Sequence, residues 1–235
     1  MAQVSLRSVQ NRLLAALPQE EYVRLEPRLE NIPLAFKDTL YVPSRPIEYV
    51  YFPSNSVFSL ITQMGNGAEI EVATLGNEGM LGLPVFLGSE TTPLKAIVQI
   101  PGDALRMQVD VFKGEVIPGS SLHSLLQRYT QALFTQVSQS AACNCLHSVQ
   151  QRFCRWLLMT YDRAGPSQFM LTQKFLALML GVRRTGVSEV ANRLQEEGLV
   201  RYSRGKMTIL DPKGLESLSC ECYRLVKQEF DRLLG

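Results

Sequence analysis

The sequence of 235 residues has no long apolar run: no segment offers about 18 uninterrupted apolar residues, which is what a membrane helix needs. Its amino terminus also lacks the apolar stretch and cleavage pattern of a signal peptide. These absences lead us to expect no membrane partner and a cytoplasmic location. With 46% apolar and 20% charged residues, the composition lacks the polar bias of a disordered chain and predicts a globular protein.

Histidine is scarce, and this scarcity argues against a metal-dependent enzyme. The chain has only His123 and His147, with none between residues 31 and 110. A cupin-like small-molecule-binding or metal-dependent protein with an accessory helical domain is the alternative function, but its barrel would need a His/Glu ligand set. No Ser/His/Asp or Cys/His arrangement has a supporting motif either. We therefore expect that the protein is not an enzyme.

Cysteine is absent from the first 142 residues, and the total of five is odd. The cysteines are Cys143, Cys145, Cys154, Cys220 and Cys222. Free thiols in a reducing compartment are the expectation for a chain of this length. One grouping has the residue types of a metal site: Cys143, Cys145, His147 and Cys154. Residues two apart on a helix do not face each other, so neighbours in this grouping would not bind the same metal ion. The same argument applies to Cys220 and Cys222. We expect structural thiols, an interface role for His147 and no metal ligands, with a redox or metal response as the alternative.

Short β-like runs fill residues 32–107 and predict an antiparallel sandwich or barrel. The runs are NIPLAF, DTLYV, EYVYF, VFSLITQM, AEIEVATL, AIVQI and ALRMQV, and turn residues separate them. The clearest hairpin lies at Gly65-Asn66-Gly67. A short amphipathic helix carrying Leu13, Leu14 and Leu17 precedes this region.

From Ser120 the apolar period changes to that of a helix. Leu122, Leu126, Tyr129 and Leu133 recur at three and four residues and are followed by Gln136 and Ser140. One long helix, or two joined helices, is predicted up to Gly165-Pro166. The stripe indicates an imperfect coiled-coil seam for dimerisation, with a helix packed on its own sheet as the alternative.

The last unit predicts two short helices and a hairpin. Thr172 is a good N-cap for the first helix, which stops at Gly181. The second helix begins near Arg183, directs Val187, Val190, Ala191 and Leu194 inward, and ends at Gly198. The runs LVRY and KMTIL follow, joined at Ser203-Arg204-Gly205. This order is typical of a winged helix-turn-helix.

Charge is concentrated in this last part of the chain. Residues 1–150 carry 10 basic and 13 acidic residues, whereas residues 151–235 carry 14 and 9. The outward face of the second helix has residues that can read base edges in a major groove, namely Arg184, Thr185, Ser188 and Glu189. Candidate phosphate contacts are Thr172, Lys174, Arg201, Arg204 and Lys206. An ordinary solvated basic helix pair is the alternative interpretation.

The run from Leu171 to Val200 resembles the DNA-binding segment of the Crp/Fnr family of bacterial transcription regulators. YVYFPSNSVFSLI and EVATLGNEGMLGLPVFLG resemble the β-roll sensory domain of that family. The resemblance implies an α+β protein: an amino-terminal antiparallel β-roll or jelly-roll like a cyclic-nucleotide-binding domain (residues 1–118), a dimerisation helix (119–147) and a winged helix-turn-helix domain (148–235). It further implies three partners: double-stranded DNA carrying an inverted repeat, a second copy of the chain, and RNA polymerase.

Carried over position by position, the base-reading arginine of the family falls on Arg184, followed by Thr185 and the further readers Ser188 and Glu189. Arg183 stands where a serine or threonine is usual, which removes a capping hydroxyl and supplies a phosphate contact. Gly186 replaces a common threonine, with no firm reason apparent.

The resemblance also bears on the effector. The ribose-binding glutamate of the family falls near Leu81 and its Arg-Ser pair falls on Leu94-Lys95, which argues against control by cyclic AMP. Lys95 offers an alternative anion contact, and Glu78 is expected at the surface or in a hairpin. Because no cysteine precedes Cys143, the usual iron-sulfur cluster is not expected, and we predict no cofactor.

Overall fold

The computed structural model describes residues 9–165 and 168–235. It begins with two short helices, α1 (Arg12–Ala15) and α2 (Gln19–Leu25), followed by a 3-10 turn at Glu26–Arg28. The buried side chain of Asn11 caps α1 by accepting from the Leu14 amide, and its own amide donates to Pro53 and Gly79. This asparagine therefore fastens the first helix to the roll that follows, with its polar atoms satisfied.

Seven strands within residues 30–108 build the roll. They are β1 (Glu30–Leu34), β2 (Thr39–Tyr41), β3 (Tyr49–Pro53), β4 (Val57–Gln63), β5 (Glu69–Leu75), β6 (Lys95–Ile100) and β7 (Gly102–Gln108). They form two antiparallel sheets with strand orders β1-β7-β3 and β2-β6-β4-β5. Each predicted run overlaps one of these strands. Inward-facing side chains such as Val50, Phe52, Phe58 and Ile61 are buried between the sheets.

The predicted hairpin at Gly65-Asn66-Gly67 is confirmed between β4 and β5. The Met64 amide donates to the Ala68 carbonyl at 2.8 Å, and Gly67 has a φ of 82°. That left-handed conformation suits glycine, which lacks a Cβ, so the turn residues determine where the two strands pair.

Within residues 83–164, α3 (Leu83–Phe86) lies between β5 and β6, and three helices follow the last strand of the roll: α4 (Val109–Glu115), α5 (Ser121–Leu146) and α6 (Val149–Ala164). The prediction of joined helices is confirmed, since α5 stops at His147 and a capping box between Ser148 and Gln151 starts α6. This break lies at the expected boundary between residues 119–147 and 148–235. Pro166, expected to end the helical region, lies outside the described residues.

The apolar stripe of α5 packs on the roll of the same chain, so the coiled-coil seam predicted along it is wrong. Leu122, Leu126 and Tyr129 are buried, and the Tyr129 hydroxyl donates to the Met80 carbonyl at 3.0 Å. Gln136, also buried, donates to the Thr74 carbonyl at 2.9 Å. A helix that pairs with a second copy and a helix that packs on its own sheet show the same apolar periodicity. Here the neighbouring sheet covers the more apolar stripe.

A second face of α5 is exposed and carries apolar residues. Phe134 is 65% exposed and Val137 is 36% exposed, and Ala141 and Cys145 continue the row at helical spacing. A phenylalanine this open to water marks a surface that can bind another apolar surface. The candidate surface for dimerisation is therefore this row and not the predicted stripe. We call the row the outer face of α5.

The carboxy-terminal unit contains β8 (Gln168–Met170), α7 (Gln173–Leu180), α8 (Arg184–Glu196), β9 (Val200–Ser203), β10 (Lys206–Ile209), α9 (Pro212–Leu218) and α10 (Cys222–Leu234). The small sheet has the order β8-β10-β9. Sequence patterning identified α7, α8, β9 and β10 but not β8, α9 or α10. The last helix packs on α5, with the rings of Tyr129 and Phe230 6.3 Å apart.

The α+β architecture expected from the resemblance is confirmed. Across residues 9–165 and 168–235, every helix is either too short or too polar to cross a membrane.

Candidate nucleic-acid interface

The two helices of the candidate interface begin differently. Thr172 caps α7 as predicted, because its hydroxyl accepts from the Phe175 amide at 3.2 Å. At the other end Gly181 adopts the left-handed conformation, with φ 62°. Arg183 occupies the N-cap of α8 without a side-chain hydrogen bond. The first turn of α8 therefore keeps amide groups that a DNA phosphate can accept from.

One face of α8 is buried and the other is open, as the apolar spacing predicts. Val187, Val190, Ala191 and Leu194 are buried in the core of the unit. Arg183, Arg184, Thr185 and Glu189 are exposed. Four of the predicted contact residues thus lie on one solvent-facing surface at the start of the helix.

Ser188 is a partial exception among the predicted readers. Its half-buried hydroxyl lies 2.8 Å from Gln173 Oε1 and 3.0 Å from the Arg184 carbonyl, so its proton is used within the protein. The hydroxyl oxygen retains only its capacity to accept. Gln173, the first residue of α7, was missed by the sequence reasoning; its contact holds the two helices together, and only packing reveals it.

The hairpin of β9 and β10 forms the wing, and it lies next to the start of α7. Its turn uses left-handed φ values at Arg204 (50°) and Gly205 (76°). The Leu171 amide donates to the Gly205 carbonyl at 2.7 Å, and Lys206 of β10 pairs with Met170 of β8. The wing cations Arg201, Arg204 and Lys206 are exposed, as are Thr172 and Lys174.

This surface, which includes the exposed Glu189, is rich in exposed cations. In the part of the chain that the structure describes, none of them lies within 4.0 Å of a carboxylate; they are Lys174, Arg183, Arg184, Arg201, Arg204 and Lys206. Cations held within the protein, such as Arg163 and Lys95, are paired. Unpaired charge on one face favours a polyanion, which releases counterions on binding.

The predicted effector residues divide into two groups. Leu81 and Leu94 line a cavity of about 280 Å³ between the roll and α5, together with Tyr41, Met80, Leu133 and Phe134. Glu78 is buried rather than at the surface as expected, because it pairs with Arg163. Lys95 pairs with Glu69 at 3.3 Å. The cavity is lined by apolar groups, and no charged side chain is among its lining residues.

The cysteines separate in a way that spacing alone did not predict. Cys145 is exposed and Cys154 is buried elsewhere, whereas the ligand atoms of Cys143, His147, Cys220 and Cys222 all lie within 4.8 Å of one another. Cys143 and His147 are four apart, which places them on the same side of the helix end. The expectation that Cys220 and Cys222 point to different faces of one helix is wrong. Cys220 lies in the link between α9 and α10, and Cys222 is the first residue of α10.

These elements define a class: a DNA-binding protein in which a winged helix-turn-helix follows a β-roll and a long helix. Residues 151–218 match the family model of the Crp-like helix-turn-helix domain. A search of curated protein sequences gave no match.

Solved structures with the same fold cover more than four fifths of the chain. FixK2 from Bradyrhizobium japonicum is 14% identical with a TM-score of 0.68, covering 82% of this chain and 98% of its own. The CRP-family regulator TTHB099 from Thermus thermophilus is 17% identical with a TM-score of 0.66, covering 81% and 96%. A crp/fnr-family regulator from Eubacterium rectale is 22% identical with a TM-score of 0.63, covering 88% and 96%.

Residues 151–218 therefore form a Crp-like helix-turn-helix domain, and the chain has the fold of the solved Crp/Fnr regulators over more than four fifths of its length. The helical unit that the cupin-like alternative treated as accessory matches the Crp-like helix-turn-helix domain, which that alternative does not explain.

Proposed function

We propose that this protein binds an inverted-repeat operator as a homodimer and regulates transcription there. The observation that carries the proposal is the first turn of α8, where Arg183, Arg184 and Thr185 are exposed and the amide groups have no side-chain cap. An α-helix fits the major groove, and its amino-terminal residues reach the base edges.

The exposed residues divide into readers and anchors. Arg184 suits a bidentate contact to guanine, and Glu189 suits acceptance from the cytosine amino group. Arg183 and the wing cations suit phosphates on either side of the groove, because they carry charge without a partner in the protein. Thr172 and Lys174 extend this anchor surface, since the wing turn contacts the strand that leads into α7.

The outer face of α5 supports the homodimer. Phe134 and Val137 are exposed there, and pairing with the same face of a second copy removes both from water. We expect a two-fold axis along α5 to bring the two recognition helices into successive major grooves, about 34–36 Å apart. The operator then has two inverted half-sites about one helical turn apart.

Control by cyclic AMP is not part of this proposal. A cyclic phosphate needs a cation, whereas the cavity between the roll and α5 is lined by leucine, methionine and aromatic side chains. Glu78 and Lys95, the charged candidates nearby in sequence, are both committed to ion pairs. The expectation of no iron-sulfur cluster rests likewise on the absence of amino-terminal cysteines.

Selection of bound duplexes from random DNA, followed by sequencing, tests the operator. We expect an enriched inverted repeat whose half-sites lie about ten base pairs apart. Enrichment of one unrepeated site, or of none, contradicts the proposal.

Sedimentation of the Phe134→Glu variant tests the dimer. A charge on the outer face of α5 should yield monomers and weaken operator binding, whereas Val23→Glu, at an exposed valine of α2, should leave the dimer intact. A dimer that survives Phe134→Glu unchanged removes this face as the interface.

RNA polymerase is the remaining proposed partner, and transcription in vitro from a promoter carrying the selected operator tests it. We expect the protein to change the transcript yield, and the sign of the change distinguishes an activator from a repressor. An unchanged yield at saturating protein contradicts the proposed partner.

A further inference from the structure

Two segments distant in sequence bring three thiols and one imidazole together. Cys143 lies in the last turn of α5, His147 follows that helix, and Cys220 and Cys222 flank the start of α10. Cys143 Sγ is 3.5 Å from Cys220 Sγ, and Cys222 Sγ is 3.5 Å from His147 Nδ1. We call these four residues the Cys3His cluster.

The spacing of the ligand atoms suits one tetrahedral metal ion. Zinc bonds of about 2.3 Å to sulfur and 2.0–2.1 Å to nitrogen hold neighbouring ligand atoms about 3.5–3.8 Å apart. Both measured contacts match that edge length, and all four atoms lie within 4.8 Å of one another. An iron-sulfur cluster needs a wider opening, because several irons and sulfides must fit between the ligands.

The imidazole is oriented as a metal ligand would be. Its Nε2 lies 3.3 Å from the Glu221 carboxylate, while Nδ1 faces the sulfurs. A neutral histidine that donates from Nε2 presents a lone pair at Nδ1, and a carboxylate behind a ligating histidine commonly imposes this tautomer. The arrangement thus supplies the nitrogen ligand together with the group that holds it.

Polar and cationic groups lie beside the sulfurs. Gln139 donates to Cys222 Sγ at 3.1 Å. Three thiolates and Zn²⁺ carry a net charge of −1, and the guanidinium groups of Arg152 and Arg155 lie close enough to Cys143 to interact with it electrostatically. Both arginines keep a buried Nε without a hydrogen-bond partner among the described residues.

We propose that the Cys3His cluster binds one zinc ion per chain and joins the end of the dimerisation helix to the start of α10. Each ligand cysteine loses its proton on binding, and no electron is transferred. The ion would connect α5, which faces the second copy, to the last helix of the DNA-binding unit. The position of the wing and α8 relative to the dimer axis would then depend on the metal.

Zinc content and cobalt spectroscopy test the site directly. Full-length protein without a histidine tag, purified under reducing conditions, should contain one zinc per chain by mass spectrometry. Cobalt should replace it and produce the intense visible bands of a tetrahedral thiolate complex. Protein that contains no zinc and takes up neither added ion overturns the proposal.

Variants assign the ligands. Cys143→Ser, Cys220→Ser, Cys222→Ser and His147→Ala should each lose the cobalt bands or bind the ion far more weakly. Cys145→Ser is the matched control, because Cys145 lies two residues from Cys143 and is exposed. Loss of the bands in Cys145→Ser, or their retention in all four ligand variants, contradicts the assignment.

A milder variant, which keeps all four ligands, tests the site even if the ligand variants fail to fold. Glu221→Gln should fold normally, since Glu221 is largely exposed, and should weaken zinc binding by about 10–100-fold in competition with a chromophoric chelator. Chelation should also lower the melting temperature of the parent protein but not that of Cys220→Ser. A disulfide between Cys143 and Cys220 in protein that binds no zinc after reduction would overturn the proposal.

Discussion

The guanidinium of Arg163 lies against the carboxylate of Glu78, with Nε 2.6 Å from Oε1, and both side chains are buried. The same guanidinium donates to Thr74 Oγ1 at 3.0 Å and to Gln136 Oε1 at 2.9 Å. Glu78 and Thr74 belong to the roll, Gln136 to α5 and Arg163 to α6. One buried cation on α6 therefore joins this helix to the roll and to α5.

Replacing Arg163 by methionine should destabilise the protein by about 3–5 kcal/mol, because it leaves the Glu78 carboxylate buried without its partner. Urea unfolding measures the loss. Lys113→Met, which breaks the exposed pair with Glu90, is the control and should cost less than about 1 kcal/mol. The double variant Arg163→Met/Glu78→Leu should recover much of the stability; a double variant as unstable as the single one would contradict the argument.

Glu71 should make stability depend on pH. Desolvation raises the pKa of this buried carboxyl to about 7, although hydrogen bonds from Ser59 and Trp156 and the charges of Arg163 and Arg155 act in the opposite direction. The raised pKa means that the folded state binds the proton more tightly than the unfolded state. Binding of this proton stabilises the folded state by roughly 3 kcal/mol. The stabilisation is complete below the unfolded pKa of about 4.5 and is lost as pH rises through about 7.

Urea unfolding between pH 5 and pH 8 checks this dependence. Glu71→Gln should remove most of the fall in stability and should be more stable than the parent at pH 8. Trp156→Phe removes the donor that lies 2.8 Å from Glu71 Oε1, so it should move the midpoint of the fall to higher pH. Identical pH profiles for the parent and Glu71→Gln would rule out this carboxyl as the cause.

Arg184→Ala should weaken operator binding by about 1–3 kcal/mol and relax the choice of base at one position of each half-site. The reason is that one bidentate contact to guanine would be lost while the phosphate contacts remain. Fluorescence anisotropy with single-base operator variants measures both effects. Arg232→Ala, on α10, is the matched control and should bind as the parent does. If Arg184→Ala binds every operator variant as the parent does, Arg184 does not read a base.

Lys206→Gln should weaken binding to all sequences about equally, because a phosphate contact carries no sequence information. The slope of log K against log salt should decrease by about 1. Lys113→Gln in the roll is the control and should leave the slope unchanged. A change in base preference for Lys206→Gln would instead make the wing a reader.

Gly186→Ala should stabilise the protein by up to about 1 kcal/mol, because a Cβ at this helical position meets no atom within 4 Å. Gly181→Ala is the matched contrast: Gly181 has a φ of 62°, and an added Cβ would lie 2.7 Å from Ile70 Cδ1. Gly181→Ala should therefore destabilise the protein. Thermal unfolding of both variants tests the pair, and a loss of stability in Gly186→Ala would show a constraint that the structure does not contain.

Local patterns left open whether one long helix or two joined helices follow Ser120, but they determined the strands of the roll and the helix-turn-helix. Alternation, turn residues and caps act over a few residues, so the sequence determined them by itself. The helix-turn-helix residues were found for the same reason: Val187, Val190 and Leu194 identify the buried side of α8, and Arg184 and Glu189 must then face outward.

Only the tertiary structure decided which face of α5 lies inward, because a stripe that packs on a sheet has the same period as one that pairs with a second helix. It also decided the partners of buried charge. Glu78 and Arg163 are 85 residues apart, and Cys143 and Cys220 are 77 apart. Contacts between residues this distant depend on how whole elements pack, and no spacing along the chain encodes them.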